Sequence, residues 1–282
     1  MTRLLRLAGQ PLLLLISIGL WMLFGGDSAA APITVITMLA VLFILERWQA
    51  RRRDWRQSIG EKVTLAGAWI VLGAILGLIT IGYEQILYGL PLPEQSAAIW
   101  PHSLPWPVQA MLLFLVSDLV YYWIHRAIHT WPWLWRASGH GVHHAFHNLH
   151  AVNAGVTHPF ELLLLALPIA LIGTVFSIDP AVVAAGVVLL GTNSQLVHAN
   201  LDLGAPGIRW IVTTGADHRV HHSMVREQSD RNYACNAIIW DRLFGTHAIG
   251  EVSQTGTGSH QPDPLHLALL PFRKAGRRGT SG

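Results

Sequence analysis

The chain alternates between long apolar runs and short clusters of charge. Six runs stand out: Leu7–Gly26, Ser28–Leu45, Val63–Tyr83, Val108–Ile124, Leu162–Ile178 and Pro180–Val197. Crossing the hydrocarbon core as a helix takes roughly 20 apolar residues, with a range of about 17–25. Each run meets that length. Helix is the expected form, because backbone polar groups in a bilayer must be satisfied within their own segment. Val108–Ile124 is interrupted only by Asp118. The last two runs meet at Asp179 and Pro180, which predicts a tight helical hairpin, either fully spanning or re-entrant.

The charges between the runs predict an orientation. Every Lys and Arg lies before the first run, between the second and third, after the fourth, or after the sixth. The other three connections hold only acids: Asp27, then Glu84 and Glu94, then Asp179. Basic residues gather in short loops on the cytoplasmic side, so both termini are expected there. A cleaved leader built on Arg3, Arg6 and Ala29–Ala31 is the competing reading. Its apolar stretch is long for a leader, and cleavage would spoil the arginine pattern.

Composition agrees. Of 282 residues, 51% are hydrophobic and 12% charged, with a mean hydropathy of +0.39. Ordinary globular chains carry about one quarter charged residues, so a soluble cytosolic enzyme and a disordered protein are both excluded. A net charge of +3 is too little to hold a phosphate backbone, so no nucleic-acid partner is expected. The single cysteine, Cys235, excludes an internal disulfide framework and a CxxC metal site. The expected organisation is membrane spans and loops over 1–106, a histidine-bearing region over 107–249, and a polar tail over 250–282 with an interfacial Leu265–Phe272. Trp131, Trp133 and Trp135 are expected to anchor at the headgroup layer.

Sixteen histidines remain to be explained. His125 and His129 form an H-x3-H. His140, His143 and His144 form an H-x2-H-H, and His218, His221 and His222 form a second. His198 stands alone at the end of the sixth run. On a helix, residues i, i+3 and i+4 share a face, so each cluster can present its imidazoles in one direction. Neutral imidazole suits iron, zinc, copper and nickel. Val108–His129 would run about 33 Å as a helix, which puts the first cluster at the cytoplasmic end of the fourth span. The other groups follow on the same side. His102, His247, His260 and His266 are read as ordinary surface residues, and His147, His150 and His158 as neighbours of the site or substrate-facing groups.

The run Asp118–His129 (DLVYYWIHRAIH), then HGVHH, then HRVHHS followed by DRNY and WDRLFGT, resembles the fatty acid hydroxylase / sterol desaturase superfamily over roughly Val108 to His247. One departure is the stretch after the second box, HHAFHNLH, which bears on substrate contacts more than on metal binding. The resemblance implies an all-α, multi-span membrane protein with a cytoplasmic, helical, histidine-rich metal cap. It implies two iron ions, replaceable by zinc in purified protein, with O2 as co-substrate. It makes His125, His129, His140, His143, His144, His218, His221 and His222 the ligands, with His198 as a ninth.

A histidine that holds a metal normally donates its other N–H to a carboxylate or carbonyl. Asp118, Asp217, Asp230 and Asp241 are candidates for that task, and Asp118 and Asp217 are taken as working residues of the site. Asp118 is the sharpest case, since a carboxylate inside an apolar span is costly and sits about two turns before His125. The implied reaction is hydroxylation of a bilayer lipid, or desaturation from the same site. No dinucleotide, haem or iron–sulfur motif is present, so a separate electron donor (reductase, ferredoxin or cytochrome) is expected. The reading from another class is a membrane metal transporter, which would place its ligands near the bilayer midplane.

Overall fold

The computed structural model describes residues 2–90, 94–257 and 269–272. His260, His266, the basic residues from Arg273 onward and the first half of Leu265–Phe272 lie outside the described residues. Regular structure among the described residues is helical, apart from one isolated bridge between Ser223 and Thr255. The long helices are α1 (Thr2–Leu23), α2 (Ala30–Gln49), α3 (Ile59–Tyr88), α4 (Trp106–Thr130), α6 (Pro159–Val175) and α7 (Pro180–His198). Short helices α5 (Pro132–Ser138), α8 (Gly215–His221), α9 (Arg226–Ser229) and α10 (Ile239–Leu243) lie in the connections and the cap.

Five of the six expected spans are long and apolar enough to cross a membrane, and the protein is an integral membrane protein. The exception is α6. Its helix has 17 residues, about 25 Å at 1.5 Å per residue, against a core of about 30 Å. It begins at Pro159, where the missing proline N–H is harmless, and Nδ1 of His158 caps it by accepting from Phe160 N at 3.2 Å. It ends before the Ser177 turn, where φ is +49°.

Helix α7 is the centre of the bundle and packs on α1, α2, α4 and α6. Its most apolar window is 61% buried, whereas that of α3 is 0% buried, so α3 is peripheral and presents its apolar side chains outward. Small residues let α7 approach its neighbours. A Cβ on Gly186 would lie 3.0 Å from Leu113 of α4, the close approach expected where helices pack in lipid.

A chain of buried polar groups crosses this apolar interior. Gln10 of α1 donates to Asn193 Oδ1 of α7 at 2.8 Å and to Thr213 O at 2.7 Å. Asn193 lies 3.3 Å from Asn236 Oδ1. Asp118 Oδ1 accepts from Asn236 N at 2.9 Å, and Oδ2 from Ala237 N at 2.8 Å. Each group would be expensive to bury alone, and together they tie three elements to the loop before α10.

Helix α1 breaks at Ala8 (φ −150°, ψ 25°), ahead of Pro11. The segment after α7 repairs the break: Gly204 N donates to Leu5 O at 2.8 Å, and Gln10 N donates to Gly204 O at 3.0 Å. The contact is so close that a Cβ on Gly204 would lie 2.0 Å from Arg6 O. Gly204→Ala is therefore expected to destabilise the protein by about 1–3 kcal/mol, the usual cost of forcing atoms into a packed contact. Gly73→Ala on α3, where the added methyl meets nothing within 4 Å, should be neutral or slightly stabilising. Thermal unfolding in detergent compares the two.

Candidate metal centre

The histidines collect where α4 and α7 leave the bundle. His125 and His129 share the last turns of α4, and His198 is the last residue of α7. Helix α5 ends at Gly139 in the left-handed conformation (φ +71°). A Cβ there would lie 2.5 Å from His158, so both conformation and space demand glycine. The chain then turns into a 3-10 helix, His140–Ala145, which carries the second cluster. Helix α8 and its C-cap carry the third.

The three clusters do not stay intact. The structure sorts the rings into His125, His129, His140, His144 and His221 on one side, and His143, His198, His218 and His222 on the other. Within each group the candidate ligand atoms lie within 4.8 Å of one another, and all nine residues are buried. Both H-x2-H-H boxes are thus divided. Adjacent residues on a helix point about 100° apart, so His221 and His222 serve different groups. This corrects the expectation that each cluster acts in one direction.

Nε2 atoms make the approaches: His125–His140 at 2.9 Å, His125–His221 at 3.1 Å, His129–His140 at 3.1 Å and His144–His221 at 3.1 Å. In the second group His143–His198 is 3.2 Å, His198–His218 3.0 Å and His218–His222 3.1 Å. Several of these cannot be ordinary hydrogen bonds. Nδ1 of His125 faces Tyr233 O at 2.6 Å, Nδ1 of His221 faces Arg231 O at 2.8 Å, and Nδ1 of His198 faces Ser194 O at 2.7 Å. Nδ1 of His140 faces Glu161 Oε1 at 2.7 Å, and Nδ1 of His129 faces Asp230 Oδ1 at 3.3 Å. These partners only accept, so Nδ1 must donate. In a neutral ring Nε2 then carries a lone pair. Lone pairs facing each other at about 3 Å repel unless a cation lies between them. The donor set of the five-membered group therefore fits a metal ion, and the four-membered group offers four buried imidazole nitrogens close enough together to hold a second.

Electrostatics favour the neutral form. Burial pushes the His143 pKa down to about 4. Burial, reinforced by neighbouring imidazoles, also holds His144, His218, His221 and His222 well below the usual histidine range. An unprotonated imidazole is the ligating form.

The carboxylates fall differently from expectation. Asp230 does reach a site histidine, but Asp118, Asp217 and Asp241 touch none of the nine. Asp118 accepts from the 236–237 backbone. Asp241 accepts from Tyr233 N and Ala234 N, each at 2.8 Å. These two acids pin the loop whose carbonyls orient His125 and His221. Asp217 closes the capping box of α8 with Thr214 and meets His247 at 3.3 Å. Sequence reasoning passed over Glu161, which accepts from His140, Tyr121 and Thr157; its signal was a carboxylate at the mouth of an apolar run. Trp135 is no headgroup anchor: its ring lies 4.9 Å from His129, 5.0 Å from His140 and 5.2 Å from His144. Trp131 and Trp133 are exposed. His147, His150 and His158 join neither group. His150 bridges Glu46 and Trp55 O.

Bundle and site together define an integral membrane protein with two buried histidine groups able to hold metal ions. Residues 110–246 match the fatty acid hydroxylase family model, so this part of the chain is a fatty acid hydroxylase domain. The ornithine lipid hydroxylase of Rhizobium tropici is 28% identical over 266 residues, covering 89% of this chain and 78% of that protein. The alkylglycerol monooxygenase of Danio rerio is 38% identical over 164 residues, covering 56% of this chain and 32% of that protein. A very-long-chain aldehyde decarbonylase of Oryza sativa subsp. indica is 29% identical over 205 residues, covering 65% of this chain and 31% of that protein. The chain thus spans about a third of the latter two. No solved structure matches it.

The depressed histidines predict an acid-labile apoprotein. The unfolded chain takes up protons near pH 6.5, while His143 in the folded chain resists until about pH 4. Unfolded chains then bind more protons, so stability is complete above about pH 6.5 and falls as the pH drops through that value. Thermal unfolding of metal-free protein should show a lower midpoint at pH 5.5 than at pH 8.

Proposed function

We propose that the protein is an oxidoreductase: a di-iron, O2-dependent hydroxylase of a membrane lipid. The observation that carries this reading is the two groups of inward-facing imidazole nitrogens at the end of a membrane bundle. One ion would be held by His125, His129, His140, His144 and His221, and the other by His143, His198, His218 and His222. Two iron ions, when bound, would activate O2 as the oxidant for an unactivated C–H bond, chemistry that no side chain can provide. Zinc binds the same nitrogens but has no redox chemistry. The catalytic region is then 107–249, with the termini and the site on the cytoplasmic face. Electrons come from a separate donor.

The chain's own residues prepare and protect this chemistry. Glu161, Asp230 and the carbonyls of Arg231, Tyr233 and Ser194 keep protons on Nδ1 and aim Nε2 inward. Trp135 covers His129, His140 and His144, while Tyr121 stacks on His125 at 5.4 Å. These aromatic walls exclude water. The site's place at the ends of α4 and α7 lets a lipid reach it without leaving the membrane. The names of the ornithine lipid and alkylglycerol relatives favour hydroxylation of a lipid over other outcomes in the superfamily.

The first test compares lipids from cells with and without the protein. The reading expects a product heavier by one oxygen and about two iron ions per purified chain; neither appearing would refute it. His143→Ala and His221→Ala should each abolish product and lower iron content, while His102→Ala, an exposed residue remote from the site, should do neither. Glu161→Gln should weaken metal affinity by about 10–100-fold, the usual cost of losing a partner that orients a metal-binding histidine. Metal titration of the apoprotein measures it.

A further inference from the structure

Glu46 is a buried carboxylate that touches none of the nine histidines. It lies in the last turn of α2, outside residues 110–246. Its Oε1 accepts from Ala151 N at 2.9 Å and from Asn200 N at 2.8 Å. Its Oε2 meets Nδ1 of His150 at 3.2 Å, and Nε2 of His150 donates to Trp55 O at 2.6 Å. His150, Ala151 and Asn200 are buried as well. Both backbone N–H groups need an acceptor from elsewhere. The chain leaves the helical conformation at Ala199 (φ −58°, ψ 138°), so Asn200 N lies beyond the ladder of α7. Ala151 opens the 3-10 helix Ala151–Gly155, and the first N–H groups of a helix have no partner within it. Asn200 is also stitched to the chain just after α2: its carbonyl accepts from Arg51 N and its Oδ1 from Arg52 N, each at 2.9 Å.

Both segments lead to the four-membered group. Asn200 follows His198 by two residues. The 3-10 helix leads to Val156, whose backbone accepts from the His143 ring. Trp69 of α3 braces that helix from the far side by donating to Val152 O at 2.9 Å. Nε2 of His143 and Nε2 of His198 approach to 3.2 Å, so the separation of the two segments sets the size of the group. Among the described residues no carboxylate hydrogen-bonds to any of its four rings. Ser194 and Val156 orient two of them through the backbone, and Nδ1 of His218 and of His222 meets no acceptor. The five-membered group has Glu161 and Asp230 directly behind its rings. The carboxylate nearest in role for the four-membered group is Glu46, which acts on the backbone that bears the rings.

We propose that Glu46 is a positioning residue of the four-membered group: one buried carboxylate holds the His143 and His198 segments at the separation that a metal ion requires. The role rests on the two-ion reading of the histidine groups and makes α2 part of the site. Hydrogen bonds to an ionised carboxylate in a dry interior are stronger than neutral ones. Losing the carboxylate leaves two buried N–H groups without an acceptor, and the segments are then free to part. Glutamine preserves the contacts, because its amide oxygen accepts from both N–H groups while its amide nitrogen donates to Nδ1 of His150. Aspartate keeps the charge and falls short by one methylene.

The test titrates the metal-free full chain in detergent with zinc against a chelating indicator, which reads affinity without turnover. Wild type should show two binding events, and His222→Ala should remove the one that belongs to the four-membered group. Glu46→Ala should weaken that same event by about 10–100-fold, the usual effect of losing the support behind a metal-binding histidine, and leave the other unchanged. Glu46→Asp should weaken it less, and Glu46→Gln should recover most of the affinity. Met38→Ala opens a cavity about two turns earlier on α2 at a fully buried residue, and should keep both events. Glu46→Asp decides the matter should Glu46→Ala not fold. Unchanged zinc binding in the folded Glu46→Ala or Glu46→Asp variant overturns the proposal. So does equal weakening of both events, in that variant and in Met38→Ala alike, which would make the effect one of general stability. A single event in wild type removes the two-ion reading, and this role with it.

Discussion

Nine buried imidazoles crowd into two groups in which neighbouring Nε2 atoms approach to about 3 Å, and much of the molecule is arranged around that crowding. The rings must be neutral, because protonated imidazoles at such distances would repel and bind nothing. They must also be aimed, because a neutral ring has one lone pair and two nitrogens on which to carry it. Burial meets the first demand. Acceptors behind the rings meet the second: Glu161, Asp230 and three backbone carbonyls take the Nδ1 protons. A ring held this way has one free direction, and it points inward.

The orienting carbonyls are only as good as the loop that bears them. Residues 233–237 have no regular structure to satisfy their backbone, and Asp118 and Asp241 do so with pairs of short hydrogen bonds. In a low-dielectric interior such bonds are strong, and their loss leaves buried polar groups unpaired. Asn236 then links the loop to Asn193 and Gln10. The first helix of the chain is thereby coupled to a site more than a hundred residues away.

The division of the histidine boxes has a consequence for assembly. Neither group can form from one box: His143 and His144 go to different sides, as do His221 and His222. The five-membered group draws on α4, the 3-10 turn and α8; the four-membered group draws on the 3-10 turn, α7 and α8. Both groups therefore need the same set of tertiary contacts. The groups also differ in support. Two carboxylates stand behind the first, whereas Nδ1 of His218 and His222 meets no acceptor among the described residues.

Much of this was legible in the residues. Apolar run length announced the helices, since a bilayer leaves the backbone no other economical form. The boxes named the histidines that gather in the two buried groups, because imidazoles at those spacings in so apolar a chain have few other uses. What the sequence could not determine was which ring faces which. That depends on angles around helices and on a 3-10 turn that periodicity does not reveal. Glu161 looked like the edge of a span and Trp135 like a headgroup anchor; both turned inward because α5 and α6 pack beside the second box. Asp118 looked like a partner for a histidine and became the fastening of a loop. Local pattern fixes what a segment is, because it depends on near neighbours. Partnership between segments depends on where the whole bundle brings them, and only the tertiary structure decides that.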